Sequence, residues 1–355
     1  MSIPLLRARM FPARSFRPRS GPLLVAALLL LLAAAVLAAL SSGRGFPVDR
    51  LFAAVTDPDS TDGRILRLAR APRVVTAAVA GAALAVAGVI LQTVLSNPLA
   101  SPELTGVNGT AVLGVVVALA AGWVDTEAPV GPLLAALIGG LLGGAITWLL
   151  GVGHGRRNAD RLLLVGVLVA ALSGGVTMLL LAVRADAFAT VNRWLVGSVD
   201  ARTWQHLMFA APWILGWIAV AVLLSGWLGL LAAGEHQAAA VGVRVPLAGA
   251  LLMITAVCLI AGATALAGAV AFIGLAVPHL ARRLTGTLWR PAALPAAALL
   301  GAALLVGCDA VAQTISGFLA GSEASRRLGI PAGAVAAVLG AAALVIIARK
   351  DSPAP

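Results

Sequence analysis

The sequence predicts an all-α, polytopic membrane protein of about ten transmembrane helices, and three observations predict it. Hydrophobic residues make up 61% of the 355-residue chain and charged residues only 11%, where a soluble domain carries roughly 25% charged residues. Mean hydropathy is +1.01, more apolar surface than a soluble fold of this size can hide, so lipid must cover much of it. The few charges are also clustered, leaving long charge-free runs between them.

Those runs give the elements in order. A helix needs about 20 apolar residues to cross the hydrocarbon core. The first run, 20–43, follows Arg7, Arg9, Arg14, Arg17 and Arg19. Its apolar stretch, Pro22–Leu40, is longer than the ~7–15 residues of a signal-peptide core, so it reads as an uncleaved first span. Runs 74–102 and 104–124, split by Glu103, give two more, and 128–155, 162–183 and 203–234 give one each. Run 245–281 holds 37 residues; as one helix it would be about 55 Å long against a ~30 Å core. A break near Ala267–Gly268 makes it two short spans. Run 291–308, closed by Asp309, and run 328–348 bring the total to ten.

Parity agrees. The arginine-rich start and the Arg349-Lys350 end both read as cytoplasmic by the positive-inside rule, and two cytoplasmic ends require an even number of spans. The expected organisation is a cytoplasmic N-terminus (1–21), one transmembrane domain (22–349) and a cytoplasmic tail (350–355). On that topology the inside holds 14 Lys+Arg against Glu103, Asp160, Glu235 and Asp351, and the outside 11 Lys+Arg against nine acids. The net charge of +11 thus reports orientation and anionic lipid, not nucleic acid.

Several function classes fall away. Lys350 is the one lysine and lies in no G-x-x-x-x-G-K-[ST] loop, so the chain has no P-loop of its own, and any ATP that drives it binds elsewhere. No His/Cys/Asp/Glu cluster has metal-ligand spacing, and no nucleophile–base pair stands out, so an enzyme is not expected. Asp309, His206 and His279 are the titratable groups nearest the membrane. Asp309 reads as a carboxylate reaching the interface or an arginine, and the two histidines as interfacial. A proton-coupled secondary transporter, which would need essential buried carboxylates, stands as the alternative. Cys258 and Cys308 read as small core residues. Gly139, Gly140, Gly143 and Gly144 read as helix-packing positions. Trp123, Trp194, Trp204 and Trp289 fall near span ends, as an interfacial belt would place them. The stretches Pro98–Gly106 and Pro278–Gly286 share their Pro-to-Gly spacing, with Gly88 and Gly268 each ten residues before the proline; this fits a worn internal repeat or chance in so Ala/Leu/Gly-rich a chain.

From Arg70 onward the sequence resembles a known family. RAPR (Arg70–Arg73), the helix with Gly81, Gly88 and Gln92, and NPLASPELTGVNG (Asn97–Gly109) begin it. Trp194 with LVGS (Leu195–Ser198), GEHQAAAVG (Gly234–Gly242), GAVAFIGLAVPHLAR (Gly268–Arg282) and LPAAALLGAALLVGCD (Leu294–Asp309) continue it. In that order they resemble the FecCD-type permeases, the membrane subunits of ATP-binding-cassette importers for iron–siderophore complexes, haem and cobalamin. The resemblance covers Arg70 to Lys350. It implies a fold like the cobalamin-importer permease, paired with a second copy or a paralogue around a central pathway in the cytoplasmic membrane. It further implies two ATP-binding subunits carrying ATP and Mg, no cofactor in this chain, and an extracytoplasmic binding protein delivering an iron–siderophore.

Residue by residue, the resemblance implies that Gly234, Glu235, Ala238, Ala239 and Gly242, with Pro278, His279 and Arg282, couple to the ATPase. Arg70 and Arg73 would dock the binding protein, with Glu323, Arg326 and Arg327 of the last outside loop. Gln92, Asn97, Pro98 and Asn108 would line the pathway. The chain departs from the family at Gln313, where an arginine is usual, and at Gly329-Ile330-Pro331-Ala332-Gly333, where the family has a glutamate before its proline. Both changes fall on the side expected to receive the binding protein.

Overall fold

The computed structural model describes residues 21–42, 48–125, 128–151, 159–183, 191, 194–285, 293–319 and 329–351, and among these all regular structure is helical. α1 (Gly21–Ser41) is apolar on every side, and leucines such as Leu23 and Leu30 stay exposed, as on a helix facing lipid. It stops where Ser41 turns its hydroxyl back onto the Leu37 and Ala38 carbonyls. Two short pieces follow, α2 (Val48–Thr56) and α3 (Thr61–Ile65). Ser60 caps α3 by accepting the Gly63 N–H at 3.0 Å. A π-helical turn, Leu66–Arg70, leads into α4 (Ala71–Val94), where Pro72 sits in the first turn and removes no needed hydrogen bond.

The chain continues through a 3-10 turn (Pro102–Thr105), α5 (Val107–Ala120), α6 (Gly131–Gly151), α7 (Ala159–Val183), α8 (Trp204–Leu223), α9 (Ser225–Ala233), α10 (Glu235–Ala240), α11 (Val245–Ala267), α12 (Ile273–Thr285), α13 (Ala293–Leu319) and α14 (Ala332–Asp351). Among the described residues, seven helices are long and apolar enough to cross a membrane, and shorter apolar stretches lie in α5 and α14. α12 is amphipathic and only 13 residues long, about 20 Å at helical rise.

The core sits on α4, α11 and α13, the most enclosed of the long helices, while α1, α7 and α8 ring it. Small residues make the close approaches. Gly81 of α4 faces Gly301 of α13, and a Cβ on either would strike the other's carbonyl. The four glycines of α6 serve two neighbours. Gly139 and Gly143 meet Gly114 and Thr110 of α5, while Gly140 and Gly144 meet Ala261 and Val257 of α11. The packing role expected of them holds.

The expected break is present. α11 ends at Ala267, Gly268 adopts φ +74°, and α12 resumes at Ile273. Three expectations need correction. Asp309 does not close a span: α13 runs ten residues past it, and Asp309 is 0% exposed in mid-helix, tolerated there because an arginine neutralises it. Trp194 is buried rather than interfacial, lying beneath the Arg202 guanidinium at 4.7 Å, whereas Trp123 and Trp204 are exposed. Trp289 lies outside the described residues. The two similar stretches also fold differently: Pro98 lies in a turn after α4, while Pro278 lies inside α12. Their shared spacing does not translate into shared local structure.

Candidate functional site

The helices have two ends. α1 begins and α14 finishes on one face, called here the terminal face; α4 begins on the opposite, far face, where Arg70 donates to the Leu40 and Ser42 carbonyls at the end of α1 at 2.5 and 2.6 Å.

Three turns of structure join on the far face. Arg73 grips Asp309 with two parallel bonds, Nε to Oδ2 at 2.9 Å and Nη2 to Oδ1 at 2.8 Å, and its Nη1 reaches Asp200 at 2.6 Å. Gln313, one turn beyond Asp309, donates to Oδ2 at 2.8 Å. The fork geometry of a guanidinium suits such bidentate capture. The ion pair therefore ties α4 to α13 and to the segment ending at Asp200. That segment is itself a strap. Trp194 accepts from Ala269 N, Ser198 N donates to Ala267, and Gly197, at φ +79°, accepts from Gly333 N at the start of α14. Glu323, Arg326 and Arg327, expected beside this surface, lie outside the described residues.

The middle of the bundle holds a second junction. After α4 the chain turns at Ser96 (φ +48°) and climbs back between the helices instead of lying on the terminal face. Asn97 caps this turn by accepting Leu99 N at 2.9 Å. Pro98 is exposed in it, and Asn97 is partly buried. The Pro102 ring then lies against Gly274 at the start of α12, and Leu104 against Gly166 of α7. Glu103, expected on the cytoplasmic surface, instead accepts the Phe272 N–H at 2.8 Å. Asn108 is buried and accepts from Thr264 at 2.8 Å, joining α5 to α11.

Pro278 shapes α12 at a distance. Lacking an N–H, it leaves the Gly274 carbonyl without its usual helical partner. That carbonyl points at Gly88 of α4, where any Cβ would collide with it. Further along, Gln92 spans the same two helices, donating to the Leu275 carbonyl at 3.3 Å and accepting from Arg282 at 2.9 Å. The His279 ring lies 2.9 Å from the same carbonyl. Gln92, His279 and Arg282 thus come together at the terminal end of α4 and α12.

On the terminal face α10 stands between α9 and α11. Gly234, at φ +129°, opens it. Gly242, at φ +87°, closes it with the paired bonds of a Schellman turn: Val243 N to Ala238 O at 3.0 Å and Gly242 N to Ala239 O at 2.9 Å. Ala238 is buried and anchors the helix, while Glu235, Ala239, Ala240 and Val241 are exposed. α10 is thus a short helix of small residues closed by Gly242.

Of the functional candidates, the sequence reading missed Asp200, Phe272 and Thr264. Asp200 and Thr264 carried no signal beyond being polar, and Phe272 at φ +67° is a residue type that ordinarily avoids that conformation.

Comparison with known proteins fits this geometry. Residues 29–350 match the model of the FecCD transport family. The ferric enterobactin transport system permease protein FepG of Escherichia coli (strain K12) is 37% identical over 285 residues, 80% of this chain and 82% of that one. The Fe(3+) dicitrate transport system permease protein FecC of the same organism is 33% identical over 79% of this chain and 82% of its own. Among solved structures, an inward-facing metal-chelate type ABC transporter superposes with a TM-score of 0.77 at 27% identity, covering 93% of this chain and all of that one.

Proposed function

Because this chain belongs to the FecCD transport family, we infer that it is the membrane-spanning permease subunit of an ATP-binding-cassette importer, moving an iron(III)–siderophore or related metal chelate across the cytoplasmic membrane. One observation carries the reading: the family match runs through residues 29–350, and relatives matched over about four-fifths of this chain are ferric-chelate permeases.

The assembly around the chain follows from that reading. A second copy or a paralogue completes the pathway, two ATPase subunits bring ATP and Mg, and an extracytoplasmic protein delivers the chelate. The chain itself needs no cofactor. The terminal face is cytoplasmic, since arginine crowds the N-terminal segment and Arg349-Lys350 end the last helix. The exposed side of α10, with Gly234, Glu235, Ala239 and Gly242, seats on the ATPase, held by buried Ala238. Pro278, His279 and Arg282 of α12 join in the coupling, and Gln92 links that helix to α4. Asn97 and Pro98 shape the turn at the cytoplasmic mouth of the pathway, and Asn108 fixes the helix that continues from it. On the far face Arg70 and Arg73 receive the binding protein, and by the family resemblance Glu323, Arg326 and Arg327 take part as well. Asp200, half-exposed beside Arg73, is the contact a docking carboxylate would replace. The proton-carrier alternative loses its main candidate, because Asp309 is engaged by Arg73 and Gln313.

Purification alone and with the ATPase subunit tests the coupling. The chain alone should hydrolyse no ATP. Ala239→Trp should keep the permease folded in the membrane yet fail to retain the ATPase subunit. Retention of the subunit by that variant at wild-type levels would remove α10 from the contact.

A further inference from the structure

Irregular backbone deep in a membrane protein needs a partner for every polar group, and the partner chosen at the α11–α12 break is unusual. Leu84 and Gly88 of α4 flank Gly274, which sets the start of α12 about 20–25 Å along α4 from its far end. Most of the break is satisfied locally or by the Trp194–Ser198 strap: Gly268 N donates to Thr264, Ala269 N to Trp194 and Ile273 N to Ala271. Phe272 N is different. It donates to the carboxylate of Glu103, 169 positions away in the chain, at 2.8 Å. An acidic group at a helix start is favoured by the helix dipole as well as by the hydrogen bond.

The same residue is strained. Phe272 has φ +67°, in the left-handed region that a bulky side chain adopts only when its surroundings hold it there. It presses on Gly340 of α14. With Gly340 it also lines an apolar cavity of about 150 Å³, completed by Val277, Leu280, Leu304 and Leu339. The ring thus has room to move if the backbone relaxes. Glu103 in turn sits on the 3-10 turn that leads from the α4 end into α5, with Pro102 against Gly274 and Leu104 against Gly166 of α7. Any displacement of that turn pulls on the Phe272 N–H.

Building on the permease reading, we propose that Glu103 is a positioning residue for transport: its carboxylate latches Phe272 in the left-handed conformation and so sets the direction of α12. Movement of the 97–106 segment opens the latch. Phe272 then relaxes toward negative φ, its ring enters the cavity, and α12, which carries Arg282 at its other end, swings with it. The segment facing the cytoplasmic mouth and α12 are thereby made to move together.

The test uses the full chain in lipid nanodiscs, with spin labels at Arg283→Cys on α12 and Leu149→Cys on α6, both exposed positions, the native Cys258 and Cys308 being buried. Wild type and Glu103→Gln, which keeps an acceptor, should give one narrow distance distribution. Glu103→Ala should add a second population. In the assembled importer Glu103→Ala should slow uptake about tenfold, the scale of a lost helix cap, and by less than about twofold in the Phe272→Gly background, where no strain remains to be held. A single narrow distribution in Glu103→Ala, or an equal loss of uptake in both backgrounds, would overturn the latch. The distance measurement needs no partner, so an importer in which even wild type moves no chelate would refute the permease reading and leave the latch to be judged on distances alone.

Discussion

At the scale of the residue, the Arg73–Asp309 pair decides most. Asp309 is fully buried, and its two oxygens are both used by Arg73, with Gln313 adding a third donor. A buried ion pair adds little net stability over a well-packed apolar pair, yet removing one member strands the other at a cost of roughly 3–5 kcal/mol. Arg73→Ala should therefore destabilise the protein by about that amount. Asp309→Ala should cost less, since Arg73 keeps Asp200 and some solvent. The double variant Arg73→Ala/Asp309→Ala should be more stable than Arg73→Ala alone. Thermal unfolding in detergent across the four proteins checks this, and additive losses would mean that the two residues do not share an interaction. An arginine partner was one of two readings open for Asp309, but which arginine was not legible beforehand. The partners lie 236 positions apart, and a carboxylate at the end of a charge-free run fits the interface as well as an arginine until the arginine beside it is seen.

At the scale of the element, the break between α11 and α12 and the crossing of α12 over α4 organise the middle of the bundle. The break could be read from the sequence because 37 residues cannot form one span in a ~30 Å core, and Gly268 marked the place. How the chain crosses the gap could not. Phenylalanine gives no sign of a left-handed backbone, and Glu103 looked like a surface charge because it divides two apolar runs. Likewise Gly88 was visible as one glycine among 39, but not as the position facing the carbonyl that Pro278 sets free. That role has a consequence. Gly88→Ala should displace α12 and destabilise the protein by more than 1 kcal/mol, as overpacking against backbone typically does. Gly175→Ala on α7, with open space around it, should fall within about ±0.5 kcal/mol of wild type. Equal melting temperatures for the two variants would show that α4 and α12 do not pack as described.

At the scale of the whole molecule, composition alone placed the chain in the membrane, and run lengths located its long apolar helices, because both follow from the thickness and chemistry of a bilayer. The family became legible only through the ordered motifs, since a pathway built from small and apolar residues names no substrate. What the fold adds is a continuous set of contacts from one face to the other: Arg73 to Asp200, the strap to the α11–α12 break, Glu103 to Phe272, and Arg282 to Gln92. A permease that passes the state of its ATPase to its outer surface needs such a chain of packed contacts. The central claim is tested most directly by proteoliposomes holding this chain with its ATPase subunit, loaded inside with ATP and Mg and given binding protein with a radiolabelled ferric siderophore outside. ATP-dependent accumulation of label, absent without the binding protein and unchanged by collapsing the proton gradient, is the expected result. Accumulation that needs no ATP and disappears with the gradient would contradict the account.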